Sequence, residues 1–315
     1  MTRRLTPRST RSTRRTPVAL TVPVALGLTL GLAACGSSSL SGGTTAPASS
    51  SGGSTATATV DPALVAALPA KIKAAGKIVV GTDATYAPNE FLGGDGKTVQ
   101  GMDVDLFNAV AAKFGLTVEY QPAGFDSIIL GVTGGKYDMG ISSFSVTAER
   151  KKVVNMVSYF TAGTQWVTAA GNAKGVNPDD ACGKSVGVQK GATQVDDLTA
   201  RSKKCTDAGK PAINLVIQEG QDQVTADVAS GKTDAMAADS PVGLYAAKQS
   251  NGALAPLGTP YDSAPYGYVI PKDETTFGTA LVTALKAASA DGTYTAALTK
   301  WGVEVGAITD FAVNP

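Results

Sequence analysis

The sequence predicts an α/β fold built as two lobes, with mainly parallel sheets. Short β-rich runs alternate with helical patterns along the chain. The series strand, helix, strand, helix, strand occurs twice, once before residue 160 and once after residue 184. Two further extended segments, 165–170 and 263–269, are placed to carry the chain from one lobe to the other and back.

Each element has its own local reason. Residues 77–81 (K-I-V-V-G) are a β-branched run and read as a strand. Residues 103–114 place Val104, Phe107, Val110, Ala111 and Phe114 at helical spacing. A strand at 116–120, a helix at 127–133 closed by Gly134 and Gly135, and a strand at 137–141 complete the first series. The second runs through a strand at 185–188, a helix from about Gln194, a strand at 213–217, a helix at 222–230 and a strand at 234–237. Helices at 274–290 and 293–301 are expected to return to the first lobe. The expected division is therefore 61–165 plus 263–315 for one lobe and 166–262 for the other, joined at a hinge, with ligands held in the interlobe cleft at strand carboxyl ends.

The first 60 residues have a different character. Six arginines and no acid lie within residues 3–15, and an apolar run at 18–32 ends in L-A-A-C at Cys35. That is the layout of an export signal spanning 1–34, with an apolar run short for a membrane span. A cysteine directly after Leu-Ala-Ala resembles the bacterial lipobox, which makes Cys35 the lipidated first residue of the mature chain. Residues 36–59 are almost entirely Ser, Gly, Thr and Ala, a composition that buries too little apolar surface to fold. As a tether they would reach about 25–30 Å. The expected location is the outer face of the bacterial cytoplasmic membrane, held by the lipid anchor.

Charge and cysteine content exclude several classes. Removing the six leader arginines from 27 basic residues leaves 21 against 26 acidic ones, a net −5 with no basic stripe, which argues against nucleic acid as a partner. Beyond Cys35 the chain has Cys182 and Cys205, which in an exported protein are expected to pair, although two buried free thiols satisfy the spacing equally. With no histidine anywhere and no other cysteine in the fold, neither a zinc site nor histidine-dependent catalysis is expected. No cofactor is called for. The pattern Ala226-x4-Gly231-Lys232-Thr233 matches a relaxed phosphate-loop motif, but a helix precedes it and a strand follows. Gly231 is better read as a helix C-cap.

The richest stretch is residues 138–152, D-M-G-I-S-S-F-S-V-T-A-E-R-K-K. Three serines crowd a strand end and an arginine follows at the start of a helix, which suits a small anion such as a carboxylate.

Taken in order, G-T-D-A-T-Y-A-P (81–88), G-M-D-V-D-L (101–106), F-D-S-I-I (125–129), the serine-rich stretch, Q-K-G-A-T-Q (189–194), S-G-K-T-D-A (230–235) and D-G-T-Y (291–294) resemble the polar amino-acid-binding proteins of ABC importers, solute-binding family 3. The resemblance covers nearly all of 77–301. It implies a type II periplasmic-binding-protein fold that closes on a free amino acid and delivers it to a membrane permease, as a monomer and without chemistry. Matched motif by motif, it implies that Arg150 grips the ligand α-carboxylate and that Ser143 and Ser145 hydrogen-bond ligand polar groups. Asp239 would pair with the α-ammonium; a helix N-cap is the competing role for this residue. Tyr86 and Phe125 would sandwich the ligand side chain. Asp83 would read that side chain, favouring a basic or glutamine-like amino acid over an acidic one, and Gln189 would add an amide contact. Ala192 and Thr193, before the helix near Gln194, would offer backbone and hydroxyl donors; Thr193 with Asp196 also fits a capping box. Two positions depart from the family pattern: Ala192 where a hydroxyl residue is common, and Asn89 where many relatives carry an aromatic. The competing reading is an enzyme on the same fold, a carboxylate-based dehydratase or lytic glycosidase; a tethered sensor lacks a second domain to receive its message.

Overall fold

The computed structural model describes residues 60–315. The export signal, Cys35 and the tether lie outside the described residues. Among the described residues no helix is long and apolar enough to cross a membrane.

The first lobe begins with residues 60–160. After two short helices, α1 (Pro62–Ala66) and α2 (Ala70–Ala75), come β1 (Lys77–Thr82), the short strands β2 (Thr85–Tyr86), β3 (Glu90–Leu92) and β4 (Val99–Gln100), and then α3 (Met102–Lys113). β5 (Thr117–Pro122), α4 (Phe125–Thr133), β6 (Met139–Gly140) and α5 (Ala148–Val153) follow. β1 lies parallel to both β5 and β6, so its carboxyl end and that of β6 open on the same side. β2, β3 and β4 form a separate antiparallel sheet of three strands. No alternation signal marked it, because its strands are only two or three residues long.

β7 (Asn155–Ala169) leaves this lobe and enters the second. There β8 (Ser185–Gln189), α6 (Thr193–Asp207), β9 (Asn214–Gln218), α7 (Gln221–Ala229), β10 (Ala235–Asp239) and α8 (Ser240–Gln249) repeat the β-α-β logic, with β8 parallel to β9 and β10. β11 (Leu254–Ile270) returns, antiparallel to β7 along nearly its whole length. The sheet order β5-β1-β6-β11-β7-β10-β8-β9 therefore has the two long strands at its centre.

Both long strands exceed the lengths that the sequence suggested. β11 contains Pro256, Pro260 and Pro265, which on local grounds demote a run from strand to loop. Pairing with β7 overrides that, at the cost of register shifts between Leu257 and Tyr261 and between Tyr261 and Ala264. Gly163 of β7 faces this irregular stretch; a Cβ there would lie 2.6 Å from the Tyr261 carbonyl oxygen.

The closing helices α9 (Thr275–Ala290) and α10 (Thr293–Trp301) return to the first lobe. Phe277, Leu281, Leu285, Tyr294 and Leu298 share one buried core with Ile78, Val80, Leu106 and Phe107. The second lobe has its own core around Trp166, Val186, Val188 and Leu198. Cys182 and Cys205 are joined there as a disulfide. Gly231 has φ +76° just beyond α7, as a helix-ending glycine should, with β10 after it; the phosphate-loop match is thus a helix terminus.

Candidate functional site

The strand ends of both lobes converge on one polar seam. β1 ends at Thr82 and delivers Asp83. β6 ends at Gly140 and delivers Ser142 to Ser145. β8 ends at Gln189, and β10 ends at Asp239. Parallel strands place these carboxyl ends together, and β10 brings its own end to the same seam from the other lobe.

Arg150 stands in α5, where Thr147 caps the helix by accepting from the Arg150 amide. Its guanidinium lies over the rings of Phe125 and Phe144, 5.4 and 5.3 Å from their centroids, and these two rings stack 4.6 Å apart. Nη1 donates to the Ser145 carbonyl at 2.8 Å and Nη2 donates to the Gly191 carbonyl of the second lobe at 3.2 Å. Among the described residues no carboxylate lies within ion-pair distance of it. Burial holds the guanidinium below the usual arginine range, partly offset by the charge of Asp239. The Ser145 hydroxyl makes no hydrogen bond to the described residues, although its backbone bridges Tyr266.

Asp239 occupies the N-cap position of α8, yet its side chain makes no capping bond. Its carboxylate instead accepts from Gln194 Nε2 at 2.8 Å and from the Tyr266 hydroxyl at 2.7 Å. The cap role is thereby corrected: the α8 N-terminus leaves this carboxylate to the seam. Burial raises Asp239 above the usual aspartate range, against the bonds from Tyr266, Gln194 and Tyr86. The Tyr86 hydroxyl accepts from the Asp239 amide at 3.3 Å, and the Tyr86 ring packs with Ala238 and Val242. Phe125 therefore stacks on Phe144, while Tyr86 is seated on the second lobe.

Asp83 is buried and satisfied. Oδ1 accepts from the amide and hydroxyl of Thr85, and Oδ2 from the Phe125 amide and from Gln189 Nε2 at 2.7 Å. Desolvation raises it; those donors pull it back. No lysine or arginine among the described residues pairs with it. The lobes also meet through Lys190 and Asp126 at 3.0 Å and through the Gln221 amide, which donates to Thr85 Oγ1 at 3.0 Å.

Ser143 is turned to the interior of the first lobe. It has φ +52°, its amide donates to Asp103 Oδ2, and its hydroxyl accepts from Asn89 Nδ2 and faces Glu90 and Asp103. What it offers the seam is backbone position rather than its hydroxyl. The capping box at Thr193 does not form: α6 begins at Thr193 itself, Ala192 is its N-cap, and no side chain caps it. Ala192 donates its amide to Gln189.

Sequence reasoning missed Phe144, Gln194 and Tyr266. Phe144 stood inside the serine stretch and Gln194 at a named helix start. Tyr266 carried no local signal, because it reaches Asp239 only through the pairing of β11 with β7.

A two-lobed α/β body crossed by a pair of central strands, with buried carboxylates and a half-buried guanidinium along the seam, defines a cleft-type binding protein. The family model for bacterial extracellular solute-binding proteins, family 3, matches residues 78–304, and the chain belongs to that family. It is 31% identical over 254 residues to the arginine-binding protein ArgT of Corynebacterium glutamicum, covering 80% of this chain and 83% of that protein. Among solved structures it resembles an ancestral arginine-binding protein bound to arginine, with 34% identity, TM-score 0.66 and coverage of 72% of this chain and 98% of the other. It also resembles the ancestral amino acid-binding protein AncCDT-1, a precursor of cyclohexadienyl dehydratase, with 31% identity, TM-score 0.64 and coverage of 73% and 97%.

Proposed function

We propose that this chain is the extracytoplasmic receptor of an ABC importer and binds a free amino acid, a basic one in preference to an acidic one. The observation that carries the reading is the set of unbalanced charges on the seam. Arg150 has no acid partner, and neither Asp239 nor Asp83 has a cation partner, among the described residues. A basic amino acid brings one carboxylate and two cationic groups, the complement of those three. Arg150 takes the α-carboxylate with its planar donor pair, Asp239 takes the α-ammonium, and the side chain extends along Phe125 toward Asp83. Ser145 and the Thr193 end of α6 supply further donors to the carboxylate. The similarity to arginine-binding proteins supports the same ligand class.

Gln189 moderates the choice. Its amide already satisfies Asp83, so a glutamine-like side chain can replace that donor without bringing charge. Binding draws the lobes together and the closed form is what the permease recognises; the lipid on Cys35 holds the monomer near it.

The test is calorimetry of the purified chain against the twenty amino acids plus ornithine and citrulline. The expected result is tight binding of arginine, lysine or ornithine, weaker binding of glutamine and none of glutamate. Failure of every amino acid to bind overturns the reading. The resemblance to AncCDT-1 keeps a dehydratase as the second reading, which turnover of a cyclohexadienyl acid in place of amino-acid binding would establish.

A further inference from the structure

Directly behind the serine turn lies a buried cluster that the ligand reading does not use. Glu90 of β3 and Asp103 in the first turn of α3 are both fully buried, and the Ser143 hydroxyl lies 3.2 Å from a carboxyl oxygen of each. Gly101 permits this meeting. At φ +140°, a Cβ there would lie 2.1 Å from the Asn89 carbonyl oxygen, which accepts from the Asp103 amide at 2.9 Å.

The hydrogen bonds around the pair show where a proton is missing. Glu90 Oε1 accepts from the Ser142 hydroxyl at 3.0 Å, and Ser142 Oγ in turn accepts from the Asp83 amide. Asp103 Oδ2 accepts from the Ser143 amide at 3.0 Å and from the Tyr159 hydroxyl at 2.7 Å. Asp103 Oδ1 is buried with no donor among the described residues. An orphaned carboxylate oxygen in a dry site is costly, and a carboxylic acid facing it removes the cost by donating its proton. The other titratable groups around the pair are Asp83 from the loop after β1 and Tyr86, Tyr120, Tyr159 and Tyr268 from four strands; no lysine or arginine is among them. Two carboxylates without a cation cannot both ionise cheaply: burial raises both, the Asp103 charge raises Glu90 further, and hydrogen bonds from Tyr159, Glu90 and Ser143 pull Asp103 back to about 6.

We infer that Glu90 and Asp103 share one proton, held by Glu90 and donated to Asp103 Oδ1, and that this neutral-plus-ionised pair is a positioning device that fixes the Ser142–Ser143 turn and, through Ser142, the Asp83 loop. The inference rests on the amino-acid reading for its functional half; the shared proton itself does not depend on it. Ser143 has a left-handed backbone that a residue with a side chain holds only under constraint, and the pair supplies it. Loss of the proton leaves two facing charges and releases the turn.

The experiment has a ligand-free arm and a binding arm. In the ligand-free chain, carbon-13 NMR of the side-chain carboxyls at pH 7 is expected to find Glu90 protonated and Asp103 ionised; both ionised overturns the shared proton. The Ser143 amide is expected to be protected from exchange and to lose that protection at the pH where the Glu90 carbon titrates; unchanged protection through that titration overturns the positioning role. With L-arginine as probe, Glu90→Gln, which keeps a neutral donor, is expected to bind within threefold of the parent, while Glu90→Ala loses tenfold or more. Equal affinity of the two variants overturns the role, and if Glu90→Ala does not fold, the Ser143 exchange profile of the parent decides. Should no amino acid bind while the carboxyl and amide results hold, the binding reading fails and the shared proton stands.

Discussion

The Gln189 side-chain amide donates to Oδ2 of Asp83 at 2.7 Å, so a buried carboxylate of the first lobe is held by a neutral donor of the second. The bond does two things at once. It ties the lobes together, and it occupies the oxygen nearest to the Phe125 amide, which donates to the same atom. A ligand side chain that reaches Asp83 competes with Gln189 rather than with water.

Asp83→Asn is therefore expected to weaken a basic ligand far more than glutamine, since the substitution removes charge while leaving hydrogen-bonding capacity. Paired titrations with arginine and glutamine check this. An equal loss for both would show that Asp83 is not read as a charge.

Arg150→Ala is expected to lose about 100-fold in affinity, because charge-assisted bonds to a ligand carboxylate are worth up to about 3 kcal/mol. The fold should survive, because among the described residues Arg150 makes no ion pair and its protein bonds are to carbonyls of the serine turn and of Gly191. Arg150→Lys should also bind poorly, since a point charge does not reproduce the planar pair. Calorimetry with a far-UV dichroism control reads both outcomes.

The pH dependence of Asp239 has opposite signs for stability and binding. Burial raises its folded value, so the folded chain holds the proton to higher pH than the unfolded chain does. Its contribution to stability is thus most favourable below the unfolded value of about 3.9 and is lost as pH rises through the folded value. Pairing with a ligand ammonium needs the ionised form, so affinity rises over that same window. Titrations of L-arginine from pH 4 to 7 should show this rise, and Asp239→Asn should bind weakly with a shallower profile, the remaining slope coming from Asp83.

Removing the disulfide with Cys182→Ser and Cys205→Ser should lower stability by about 3 kcal/mol on the chain-entropy account. Affinity should hold, because Cys205 lies in the last turn of α6, about 18 Å along that helix from Thr193. Thermal melts and calorimetry on the double variant separate the two effects.

Cys35→Ala is expected to release the protein from the membrane fraction into the medium without altering ligand affinity. Fractionation of expressing cells checks it, and continued membrane association would refute the lipid anchor.

The strand–helix alternation, the helix from Thr293 to Trp301 and the pairing expected of Cys182 with Cys205 were all legible, because each rests on local periodicity or on residue arithmetic. Arg150 and Asp239 were legible as candidates because their neighbours, serines at a strand end and Ser-Pro at a helix start, carry local signals. The length of β11 was not, since three prolines argue locally against a strand that only its pairing with β7 sustains. Nor was the inward turn of Ser143, which depends on Glu90, Asp103 and Asn89 arriving from separate segments.

By itself the sequence determined the kinds and order of the main strands and helices and the family, since helix and strand periods and short motifs are properties of neighbouring residues. Only the tertiary structure decided which groups remain unbalanced. It set Phe144 under Arg150, freed Asp239 from the helix end, and closed Gln189 on Asp83. It also buried Glu90 against Asp103, because burial and charge pairing depend on how separate segments pack, which local periods do not specify.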